Sequence, residues 1–101
     1  MTYRRLASLD QFDERGMLAR EVDGVTVLLI RLPDGVHALE GICTHEYAEL
    51  YRGIVAGSSI ICPLHLSKFN IFTGEVETPP ATEALRTFDV RIEGQDVLVD
   101  V

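Results

Sequence analysis

The chain has 101 residues, 47% of them apolar and 25% charged, with a formal net charge of −7. That is room for one globular domain and is far from a disordered composition. The charge disfavours nucleic-acid binding, because phosphates would be repelled over most of the surface, but it suits docking onto basic protein patches as well as plain solubility. The longest apolar run, 25–30, is far too short to cross a bilayer, and 1–5 lacks the apolar stretch of a signal peptide. The expectation is a soluble, cytoplasmic protein that does not contact membranes.

In chain order, β-type periodicity predicts strands at 3–7, 17–22, 25–31, 36–39, 59–61, 69–71, 86–92 and 97–101. Glycines after Asp23, Asp34 and Glu93 mark turns between them. Weak helical character at 9–15 predicts one short turn. Val97, Val99 and Val101 alternate with Leu98 and Asp100, as in a strand buried on one face. Two stretches, 41–53 and 62–68, read as loops rising from strand ends, and Thr78-Pro79-Pro80-Ala81 reads as a third, stiffened by prolines that fix φ. Pro79-Pro80 is either a rigid connection or a wall shielding a cofactor. No repeat or linker is visible, so one all-β domain spans 1–101.

The two loops carry Cys43-Thr44-His45 and Cys62-Pro63-Leu64-His65, a C-x-H and a C-x-x-H separated by sixteen residues. They use both cysteines and two of the three histidines. A disulfide is disfavoured in a reducing cytoplasm, and the paired histidines point to metal. Zinc accepts such a set in a closed tetrahedral site, and a bound metal would help stabilise so small a core. Zinc fingers, however, pair like ligands, C-x-x-C with H-x-x-x-H. Here each loop offers one cysteine and one histidine, so each can reach both irons of a 2Fe–2S centre with mixed ligation.

On these residues, and on Ser67-Lys68-Phe69-Asn70, Thr73-Gly74-Glu75-Val76, Pro79-Pro80 and the strand-rich 85–101, the chain resembles a Rieske-type ferredoxin. Ferredoxins of this type are the electron-carrier components of multicomponent aromatic-ring-hydroxylating dioxygenase systems. The resemblance implies a Rieske fold, an antiparallel β-sandwich base bearing a small cluster-binding subdomain at roughly 41–81. It implies one 2Fe–2S cluster, with Cys43 and Cys62 on one iron and His45 and His65 on the other. Ser67, Leu64, Leu66, Pro79 and Pro80 would surround it. Two thiolates bring a diferric core to about zero charge, so reduction is easier than in an all-cysteine cluster. Respiratory Rieske proteins add a serine and a tyrosine that donate to the cluster. This chain has Ser67 but Phe69 in the tyrosine's place, and no spare cysteines for their disulfide, so a potential toward the low end of the Rieske range is expected. Leu66 stands where a glycine is common; it either packs within the loop or enlarges an apolar face with Leu64, Pro79 and Pro80.

With His45 and His65 spent, His37 alone cannot build the two-histidine, one-carboxylate iron site of a terminal oxygenase, and it reads as a structural or surface residue. No Gly-rich dinucleotide motif is present. The chain therefore reads as a carrier, not an enzyme, and as a monomer. Its expected partners are a flavin-containing NAD(P)H ferredoxin reductase and a terminal oxygenase. Glu46 and Glu49 would either steer those partners or be solvated acids. The alternatives are a Rieske accessory subunit of a nitrite or arsenite oxidoreductase and a zinc-stabilised structural domain.

Overall fold

Four consecutive residues, Val27, Leu28, Leu29 and Ile30, are shielded from solvent on both faces of one strand. They lie in β3 (Val25–Leu32), the longest strand of a computed structural model that describes residues 2–44, 48–64 and 66–101. β3 is flanked by β2 (Met17–Val22) and β4 (Gly35–Glu40) in a four-stranded antiparallel sheet completed by β9 (Thr87–Phe88). Asp23 and Gly24, both at positive φ (51° and 82°), form the two-residue turn that joins β2 to β3. This backbone matches the right-handed strand twist and is why Asp-Gly suits the position.

Successive side chains on a strand point to opposite faces, so β3 serves two cores. Val27 and Leu29 join Ala38, Ala7, Val97 and Val99 on one side. This core is closed by the sheet of β1 (Tyr3–Ser8), β11 (Asp96–Asp100) and β10 (Val90–Glu93), completing a β-sandwich. Leu28 and Ile30 join Met17, Leu39, Leu50, Ile60, Phe69 and both cysteines on the other. That second core is closed by the sheet of β5 (Ile54–Ala56), β6 (Ser59–Ile61), β7 (Lys68–Asn70) and β8 (Val76–Thr78). All pairings among named strands are antiparallel, as expected for an all-β chain.

β2 and β6 fall where the sequence reading places them. Three expectations need correction. The helical turn expected over 9–15 is confined to a 3-10 turn at Leu9–Gln11, where the Gln11 side chain accepts the Ser8 N–H at 2.8 Å. The single strand expected over 86–92 is two, because the chain leaves the β4 edge after Phe88 and joins β11 from Val90. β5 and β8 are additional strands, and the loop read at 62–68 ends one residue earlier because Lys68 already belongs to β7.

Truncating either face of β3 tests the two-core arrangement. Leu28→Ala and Leu29→Ala should each cost about 2–5 kcal/mol in chemical unfolding, from lost transfer energy and residual cavity. A loss under about 1 kcal/mol for either would show that its core collapses around the gap.

Candidate metal centre

The first loop leaves β4 at Gly41 and returns as a narrow antiparallel pair. Ile42 bridges Glu49, the Cys43 N–H donates to the Ala48 carbonyl at 2.8 Å, and the Leu50 N–H donates to the Gly41 carbonyl at 2.9 Å. The return leg ends in a 3-10 turn at Leu50–Arg52 whose Leu50 side chain is fully buried. Gly53 then passes so close to β6 that a Cβ would lie 2.1 Å from the Ile61 carbonyl oxygen, so only glycine fits. On the outgoing leg, the Thr44 hydroxyl donates to the Glu83 carbonyl at 2.7 Å.

The second loop closes on itself between β6 and β7. The Cys62 N–H donates to the Ser67 carbonyl at 2.8 Å, and the Leu66 N–H donates to the Cys62 carbonyl at 3.2 Å. Ser67 is fully buried, and its Oγ accepts the Ala81 N–H at 3.0 Å. This bond ties the second loop to the segment after Pro79-Pro80. An oxygen that already accepts from Ala81 keeps its own proton for donation elsewhere.

Leu66 has φ +62°. A branched side chain in that left-handed region costs roughly 1–2 kcal/mol, which glycine would avoid. Burial within the chain does not repay the strain, because Leu66 is 63% exposed, beside Leu64 at 57%. Most of the Leu66 side chain therefore faces solvent. Pro79 and Pro80 are exposed as well, so the four residues present apolar surface to solvent.

Cys43 and Cys62 are each only 1% exposed, lie in the same core and are not in a disulfide. His45, His65 and Glu46 lie outside the described residues. Glu49 is exposed, and its carboxylate accepts from Arg52 Nε at 3.0 Å, as expected of a solvated acid. His37 has the structural role its sequence context suggests. Its Nε2 is 3.0 Å from an Asp34 oxygen, and its ring meets Phe72 edge-on.

Sequence reading missed Thr44 and a group formed by Asp13, Arg15 and Tyr51 against the return leg of the first loop. A lone Asp-x-Arg carries no signal for a tyrosine 36 positions past the arginine.

The donor set fits a thiolate-bound metal centre. Two thiols in one apolar core would each be inert alone, and ionising them there without a metal would be costly. Each loop's cysteine amide is already bonded locally, so the loop backbones are held without the thiols.

The Rieske [2Fe-2S] domain family model matches residues 3–89. The chain is 35% identical to the biphenyl dioxygenase ferredoxin subunit of Pseudomonas sp. (strain KKS102), over 99% of this chain and 93% of that protein. The solved ferredoxin of carbazole 1,9a-dioxygenase from Nocardioides aromaticivorans IC177 superposes with a TM-score of 0.90 at 35% identity, covering 98% of this chain and 97% of that one. The ferredoxin fold is also found in a complex of reduced oxygenase and oxidised ferredoxin in carbazole 1,9a-dioxygenase, with a TM-score of 0.87 at 28% identity, covering 96% and 91%.

Replacing Ser67 by alanine strands the buried Ala81 N–H. The expected cost is about 1–3 kcal/mol by denaturant titration, whereas Ser58→Ala on the exposed β5–β6 turn should stay within about 0.5 kcal/mol. Equal effects of the two would mean that the Ser67 bond holds nothing together.

Proposed function

Because the chain belongs to the Rieske [2Fe-2S] domain family, we propose that it is the ferredoxin of an aromatic-ring-hydroxylating dioxygenase system. It is a soluble, cytoplasmic, monomeric one-electron carrier, drawing on a flavin-containing NAD(P)H reductase and supplying a terminal oxygenase. Cys43 and Cys62 hold one iron of its cluster and His45 and His65 the other, within a cluster-binding part at 41–81 of a single domain. When bound, the 2Fe–2S cluster takes up and returns one electron at a time.

The observation that carries this reading is the juxtaposition of two buried cysteines, on two loops of one core, with an exposed apolar surface on one of those loops. Burial of Cys43 and Cys62 keeps water from the sulfurs. Leu64, Leu66, Pro79 and Pro80 give a partner an apolar surface to close against. Four such side chains suit a small contact that releases quickly, as a carrier needs. The ferredoxins that the chain resembles are named as components of dioxygenase systems, and one is found with its oxygenase. Among the described residues, no helix is long and apolar enough to cross a membrane.

Turnover by a panel of aromatic-ring dioxygenases, each with its reductase and NAD(P)H, should depend on added chain and saturate with it for at least one system. Leu64→Asp combined with Leu66→Asp should raise the chain concentration for half-maximal rate about tenfold. A cluster-loaded, reducible chain that leaves every system idle would contradict the carrier reading.

A further inference from the structure

The return leg of the first ligand loop is gripped from outside the loop. Arg15 reaches across from the connection before β2 and donates Nη1 to the Tyr51 carbonyl at 2.8 Å and to the Gly53 carbonyl at 3.3 Å. Those carbonyls end a 3-10 turn and need donors. The guanidinium lies over the Tyr51 ring, 4.7 Å from its centre. The Tyr51 hydroxyl donates to Asp13 Oδ2 at 3.1 Å, an oxygen that also takes Arg15 Nη2 at 2.8 Å. Asp13 Oδ1 accepts the backbone N–H of Arg15 at 2.9 Å and of Met17, the first residue of β2, at 3.0 Å.

An exposed Asp–Arg pair two residues apart would contribute little by itself. Here it is the middle of a tie between residues 36–38 positions apart, ending at a glycine with no room for a side chain. Burial works against the charged form of Asp13. The Met17 N–H, the Arg15 side chain and the Tyr51 hydroxyl outweigh it and lower the carboxyl from 3.8 to about 2. The acceptor is thus charged throughout the neutral range.

Position matters because the return leg sets the loop's register. Leu50 is bonded to Gly41, Glu49 faces Ile42, and Ala48 is bonded to Cys43. A shift at Tyr51 would pass through those pairings to the cysteine. Thr44 fixes the outgoing leg to Glu83, so the loop is held on both legs.

We propose that Asp13, Arg15 and Tyr51 are positioning residues that clamp the first ligand loop and thereby set how firmly, and in what geometry, its cysteine holds the cluster. This rests on the reading that the loop binds the cluster. The test uses the purified, cluster-loaded protein. Tyr51→Phe removes one bond and keeps the ring. Arg15→Lys keeps the charge beside Asp13 but lacks the planar fork that bonds Asp13 and the two carbonyls at once. Both should lose their visible colour in excess chelator about fivefold faster than wild type, with a shifted or broadened reduced-state EPR signal. Leu29→Ala, in the core facing away from the loops, should lower the melting temperature at least as much and leave the EPR signal unchanged. Wild-type bleaching and EPR in both clamp variants, or bleaching that only follows melting temperature as it does in Leu29→Ala, would overturn the proposal. A wild-type protein with no Rieske signal would overturn the cluster reading, and this one with it.

Discussion

The double-sided burial of Val27–Ile30 is the constraint from which the rest of the molecule follows. Each of these side chains, withdrawn from water, contributes about 2 kcal/mol of transfer free energy, and that requires a cover on both faces. The sheet of β1, β11 and β10 covers Val27 and Leu29. The loop-bearing sheet covers Leu28 and Ile30, and the two cysteines are part of that cover. The candidate metal centre is therefore an extension of the core rather than an attachment to it. Both cysteines share one packed core with Leu28 and Ile30 of β3.

Both loops close through their own amides and are tied from outside as well. The second has one outside tie, Ser67 to Ala81. The first is tied at both legs, Thr44 to Glu83 and Tyr51 to Asp13. At the second loop an energetic cost is visible on the surface. Leu66 holds an unfavourable φ and exposes its side chain, which a purely structural position would not favour. Under the proposed carrier role, a docking partner would cover that side chain.

Much of this was legible in the sequence because the relevant signals are local. β2 is written in a short apolar-rich run and the Asp23-Gly24 turn in a two-residue turn code. The cysteine ligand candidates sit in short motifs whose chemistry is recognisable without a fold. The exchange of sheets at Asp89 was hidden, because Phe88, Val90 and Ile92 keep a period of two while the chain stays extended from one sheet to the next. β5 and β8 are three-residue edge strands, too short for alternation to register. Asp13–Tyr51 and Ser67–Ala81 are long-range bonds, and no pattern along the chain announces them.

The central claim is that two buried cysteines and the two loop histidines share a binuclear iron centre. Iron and sulfide analysis of the purified protein, joined to EPR after dithionite, tests it most directly. The account predicts about two irons and two sulfides per chain. It also predicts a red-brown colour and a Rieske-type reduced signal that vanishes in Cys43→Ser and His65→Ala. A colourless protein carrying about one zinc per chain would contradict it.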